Sequence, residues 1–103
     1  MENENYTPFT QVYDLFLSQL TDDMYLELTE DETKAMLFEL LRVAIQKFEF
    51  PRVPLDYVKE EEQSEDDTPK VEYYFTHKLT EEEENILAVY MIVNWIGQQL
   101  ASV

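Results

Sequence analysis

Residues 59–70 read KEEEQSEDDTPK, six carboxylates (Glu60, Glu61, Glu62, Glu65, Asp66 and Asp67) in twelve positions, flanked by Lys59 and Lys70. Carboxylates at this density suit acid–base catalysis, a hard-cation site, or capture of a basic partner by imitation of a phosphate backbone. The cation loop D-x-[DN]-x-[DN]-G is absent, and the EEE and EDD runs lack the Gly that turns it. The single Gly of the chain, Gly97, excludes phosphate-cradling loops of the G-x-G-x-x-G or Walker kind. His77, in YYFTHK, has neither a second His nor any Cys with which to share a metal or build a triad, and reads as an ordinary strand-end residue. The expectation is a protein that is not an enzyme, with no metal and no cofactor, in which the acids act through charge alone.

Three helices and a hairpin must position those acids. In TPFTQVYDLFLSQL (7–20), Phe9, Val12, Tyr13, Phe16, Leu17 and Leu20 recur at helical spacing, and Thr7 followed by Pro8 suits a cap and a first helical position. TDDMYLEL (21–28) reads as a short helix opened by Thr21, Asp22 and Asp23. Thr29 and Glu32 form a T-x-x-E capping box for a second helix over about 30–48, whose broad apolar face runs from Met36 to Phe48 and which ends near Pro51. Thr80 and Glu83 repeat the box for a third helix from Glu81 to about Leu100. That helix is apolar almost all round its middle, which makes it either central to the fold or shared with a neighbouring subunit.

Between the second and third helices the period changes to two. Val53, Leu55 and Tyr57 alternate in VPLDYVK, as do Val71, Tyr73 and Phe75 in VEYYFTHK, which predicts a β-hairpin with KEEEQSEDDTPK as its tip and Pro69 at the exit. Two strands alone are marginal, so the hairpin must pack on the helices or join a sheet supplied by another chain. The fold class is therefore mainly α (α+β), one domain over 1–103, with a helical body at 7–50 and 79–101 and the hairpin at 51–78.

Nine acids (Asp22, Asp23, Glu30, Asp31, Glu32 and Glu81 to Glu84) fall in expected first turns of helices, where they complement the macrodipole. The six tip acids have no such local reason. A nucleic-acid mimic needs carboxylates on a rigid face, so a solvated tip is the first reading and a contact with a basic partner the second. Tyr73, Tyr74 and Phe75 place rings on both faces of a strand, and Tyr90, Met91 and Trp95 are types enriched in interface cores, so all six are candidate subunit-interface residues as well as core candidates.

The net charge of −16, with only seven Lys and Arg, opposes binding to nucleic acid or to anionic membranes. Hydrophobic residues at 45% and fourteen aromatic rings argue for a folded chain rather than a disordered one. MENENYTPF has no basic or apolar region of a signal peptide, and ILAVYMIVNWIG, at twelve residues, is short of the roughly twenty a membrane span requires. A soluble protein is expected, and the lack of Cys leaves its redox compartment open.

The order YTPFTQVYDLFLSQLTDD, LTEDETKAMLFELLRVAIQKF and LTEEEENILAVYMIVNWIGQQL resembles the small acidic head-completion or head-to-tail connector (neck, adaptor) proteins of tailed bacteriophages of Gram-positive hosts. The resemblance rests on an aromatic-rich first helix, an acid-capped second helix ending in A-I-x-x-F (Ala44, Ile45 and Phe48), and a third opening L-T-x-E-E (Leu79 to Glu83). It covers roughly two-thirds of the chain, while the hairpin is longer and more acidic than the pattern. It implies a virion structural protein at the head–tail junction, assembled in the host cytoplasm as a homo-oligomeric ring beneath the portal. Its partners would be the portal and another neck or tail protein, with DNA passing through without specific binding and no membrane involved. A runner-up is a small intracellular inhibitor that blocks a basic DNA-binding host protein by charge.

Overall fold

A computed structural model of the chain describes residues 6–20, 29–49, 51, 54–63 and 69–101. In chain order these form β1 (Thr7–Pro8), α1 (Phe9–Gln19), α2 (Glu30–Lys47), β2 (Tyr57–Gln63), β3 (Pro69–Phe75) and α3 (Glu81–Ala101). The mainly helical architecture, with a hairpin between the second and third helices, matches the reading from sequence. The short helix expected at 21–28 lies outside the described residues.

Both capping boxes form. Thr29 N–H donates to Glu32 Oε1 at 2.8 Å and Glu32 N–H to Thr29 Oγ1 at 3.1 Å, two otherwise orphaned donors satisfied at once. At α3, Thr80 N–H donates to Glu83 Oε1 at 3.0 Å and Glu83 N–H to Thr80 Oγ1 at 3.1 Å, and Glu83 is buried by the contact. α2 ends before Pro51, with Phe48 extended at φ −81° and ψ 101° and its N–H bonded back to Ala44 and Ile45.

The start of α1 departs from expectation. Thr7 is not its cap: Pro8 holds the N-cap position at φ −66°, ψ 145° with no side-chain cap bond. The Thr7 hydroxyl is used elsewhere, accepting the Leu79 N–H at 2.9 Å and donating to the His77 carbonyl at 3.3 Å. Thr7 and Pro8 thereby become a third strand, paired antiparallel with β3 at Thr7↔Phe75 and Pro8↔Tyr74. The sheet has the order β1-β3-β2, so the strand that completes the hairpin comes from the same chain rather than from a neighbour.

The hairpin is also displaced outward. Tyr57 faces Phe75, and the ladder continues through Val58↔Tyr74, Lys59↔Tyr73, Glu60↔Glu72, Glu61↔Val71, Glu62↔Lys70 and Gln63↔Pro69. Leu55 precedes the strand and packs on the core, and Val53 lies outside the described residues. Pairing with the aromatic β3 fixes this register, and it overrides the low strand propensity of Glu while Val58 to Glu61 stay exposed.

Alternation along the ladder puts Tyr57, Tyr73 and Phe75 on the face that meets the helices. Phe9, at the head of α1, lies between them: its ring centroid is 4.6 Å from Phe75, 5.1 Å from Tyr57 and 5.6 Å from Tyr73. Phe38 of α2 stacks on Tyr73 at 4.4 Å. Beyond this aromatic wedge the core continues through Val12, Phe16, Leu40, Leu41 and Ala44 to Leu87, Ala88, Met91 and Trp95 of α3. Burying each large apolar side chain contributes about 1.5–3 kcal/mol, so the helix-to-helix layer carries most of the stability.

Candidate functional site

The acids of the hairpin divide by position. Glu60 and Glu61 are exposed on β2, Glu62 belongs to the same strand, and Glu65, Asp66 and Asp67 lie outside the described residues. Half of the supposed solvated tip is thus regular strand, which fixes the spacing of Glu60, Glu61 and Glu62 at about 3.4 Å per residue. Glu61 pairs with Lys59 at 3.2 Å on one face of the ladder. Glu60 is directly opposite Glu72 on the other, an arrangement that costs stability rather than adding it. Tyr74 shares that outer face, where Tyr6 meets it edge-on at 5.0 Å.

The six candidate interface residues separate into two groups. Phe75, Met91 and Trp95 are buried in the core of this chain, the first of the two readings their types allowed, rather than exposed as subunit contacts. Their aromatic and thioether chemistry suits a core and an interface equally, so type alone could not choose between the two. Tyr73, Tyr74 and Tyr90 are half-buried, Tyr73 against Phe9 and Phe38 and Tyr90 against Phe48 at 6.3 Å.

Sequence reasoning saw that α3 has more apolar residues than one face needs, but it singled out none of those on the side that stays exposed. Val89, Val93, Ile96 and Leu100 are 49%, 54%, 49% and 72% exposed, and half-buried Ile86 continues the line. The signal was present as two interleaved stripes, Leu87, Ala88, Met91 and Trp95 against Ile86, Val89, Val93, Ile96 and Leu100, but a helical wheel does not say which stripe meets the body. From Asn85 onward the sequence has no charged residue, so the exposed stripe is apolar with uncharged flanks in a chain of net charge −16.

A cleft of about 560 Å³ opens between α1, α2 and β3, lined by Tyr13, Asp14, Asp31, Lys34, Glu72 and Tyr73 among others. Burial first, then Tyr73 and Glu72, push the Tyr13 phenol well above its ordinary value, so it remains a protonated donor and offers no base. His77 is exposed beyond β3, with Nδ1 3.1 Å from Thr76 Oγ1. Among the described residues no group of three or more His, Cys, Asp or Glu is placed to hold a metal ion, and no helix is long and apolar enough to cross a membrane.

The two features with clear interaction chemistry are therefore an ordered acidic strand and an uncharged apolar helix face. Compared with family models, with curated proteins and with solved structures, this chain matches none.

Proposed function

We propose that this chain is a structural, non-catalytic subunit of a bacteriophage head-to-tail connector. It forms a ring below the portal, lines the channel through which DNA leaves, and docks the tail. The observation that carries this reading is the pairing of two surfaces on one small domain: the exposed uncharged stripe of α3, suited to assembly, and the Glu60 to Glu62 strand, suited to a wall that DNA passes. The resemblance of the three helical segments to neck proteins supplies the class of assembly.

A basic wall would hold phosphates, whereas carboxylates repel them and let the duplex slide. Glu60 opposite Glu72 fits that use, since it sets two carboxylates side by side on the ladder. Function needs no cofactor on this reading, and the protein resides in the virion after assembly in the host cytoplasm.

The acidic-inhibitor reading draws on one specific observation, that Glu60 to Glu62 lie on a strand with fixed spacing rather than on an irregular tip. Mass spectrometry of salt-washed particles separates the two. A constant ring-like ratio of this chain to the portal supports the connector. Absence from particles, with abundant protein in infected cells, overturns it in favour of the inhibitor.

A further inference from the structure

The outward face of α3 has a specific geometry. Ile86, Val89, Val93, Ile96 and Leu100 follow spacings of three, four, three and four residues, the heptad repeat of a helix seam that meets another helix. Its two ends differ. At the N-terminal end, Glu81, Glu82, Asn85, Ile86, Val89 and Tyr90 line a surface depression of about 600 Å³. At the C-terminal end, Leu100 projects as the most exposed large apolar side chain among the described residues, at 72%. Gly97, near it in the sequence, faces open space: beyond its own helix turn nothing lies within 4 Å of where a Cβ would stand, so a neighbouring helix can approach closely there.

We propose that this face pairs with the same face of a second copy of the chain, with the two α3 helices antiparallel about a two-fold axis. Each Leu100 then seats over the depression at the start of the other α3. In register, Ile86 meets the second copy's Ile96, and Val89 meets the second copy's Val93. Asn85 of each copy lies over Gly97 of the other, where the missing side chain leaves room.

Charge selects both the occupant and the direction. A charged partner would be stripped of water against a seam, Ile86 to Leu100, that offers no counter-charge, whereas an identical seam brings only Asn85 and, at its ends, the exposed Glu81 and Glu82. A parallel pair would crowd two clusters of Glu81 to Glu84 together. The antiparallel pair keeps the two clusters at opposite ends and opposes the helix dipoles.

The four most exposed stripe residues supply roughly 400 Å² per copy, about half of what a stable interface buries on each partner. Association is therefore reversible and concentration-dependent. This pairing uses the stripe that the connector reading gives to ring assembly, and the two exclude each other on one subunit: ring closure uses heterologous contacts, so a two-fold pair is a form of the free subunit that must open before a ring closes.

The test is sedimentation velocity of the chain over about 1–300 µM, a range that brackets micromolar affinity. The expected result is a monomer–dimer equilibrium. Val93→Glu buries two carboxylates against the second copy's Val89 and weakens the pair about 100-fold or more. Because Val93 is exposed in the single chain, the variant keeps its helical spectrum and its Trp95 unfolding transition.

A double variant, I86E/I96K, fixes the direction. In the antiparallel pair it creates two Glu–Lys contacts and the dimer survives. In a parallel pair like charges meet and the dimer is lost. A chain that is monomeric throughout the range, self-association that Val93→Glu leaves unchanged, or a monomeric I86E/I96K variant overturns the proposal. Mass spectrometry of particles reads none of these outcomes, so this pairing and the connector reading fail separately.

Discussion

Replacing Thr7 by Val removes one hydroxyl and keeps the shape, which isolates the contact that anchors β1 to the segment leading into α3. Thr7 is fully buried, and its Oγ1 is 2.9 Å from the buried Leu79 N and 3.3 Å from the His77 carbonyl. In Thr7→Val the Leu79 N–H is left in the interior with no acceptor, at a cost of about 1–3 kcal/mol. The bond to His77, being long, adds little. A loss of about 2 kcal/mol lowers Tm by roughly 8–16 °C for a domain of this size. Urea unfolding followed through Trp95, the only Trp and a core residue, measures the difference, with the m-value expected to stay constant. Thr7→Ser keeps the hydroxyl and should lose less than half as much. Amide exchange adds a local readout, since the Leu79 N–H should exchange faster in the Val variant alone. A Val variant within about 0.5 kcal/mol of the parent, with Leu79 still protected, would refute the assignment of Thr7 as that anchor.

Glu60→Lys replaces a like-charge neighbour of Glu72 with an opposite one and should stabilise the chain by about 0.5–1 kcal/mol at low salt, with the gain shrinking as salt rises. A thermal melt at two ionic strengths reads both parts. Glu84 has its pKa raised above 4.5, first by burial and then by Glu81, with Lys78 pulling it back, and its Oε2 has no hydrogen-bond partner. The ionised form therefore costs stability above the folded-state pKa, and the cost fades as pH falls toward 4.5. Glu84→Gln should accordingly unfold at a higher temperature near pH 7.5 and converge on the parent in acid, and a constant gap across that pH range would sink the argument. Leu41→Ala, at a fully buried position of α2, should cost about 2–5 kcal/mol in urea unfolding.

The helices were legible because each is set by local chemistry. Two T-x-x-E boxes and the apolar periodicity of α1 and α2 need no knowledge of the rest of the chain. Thr7 shows where that reasoning stops. Its capping signature was correct as a local pattern, but a hydroxyl satisfies one set of partners, and Leu79 lies 72 residues away in sequence. The outward shift of β2 has the same origin: alternation in VPLDYVK pointed to Leu55 and Tyr57, whereas the register with β3 carried the strand into Lys59 to Gln63. For the candidate surfaces, the acids were found and partly misplaced. The third helix was recognised as over-apolar; Met91 and Trp95, open between core and interface in the sequence, are core, and the stripe that stays exposed was not singled out.

The two surfaces also constrain one another. Any assembly of a chain with net charge −16 must overcome repulsion between copies, and that repulsion is smallest where the approaching faces carry no ions. The first-turn acids of α2 and α3 and the Glu60 to Glu62 strand all lie outside the run that begins at Asn85. A seam made of Ile86, Val89, Val93, Ile96 and Leu100 can therefore form while Glu30, Asp31, Glu32, Glu60 and Glu61 stay exposed and oppose approach on other faces. Apolar contact without charge sets where copies meet, and charge without apolar contact sets where they do not. On the connector reading the same separation leaves the acidic strand free for the DNA channel or for a basic neighbour after the subunits have found one another. Screening then predicts a direction: added salt should strengthen α3 pairing and weaken any capture of a basic partner by Glu60 and Glu61, so the two associations respond to ionic strength with opposite sign.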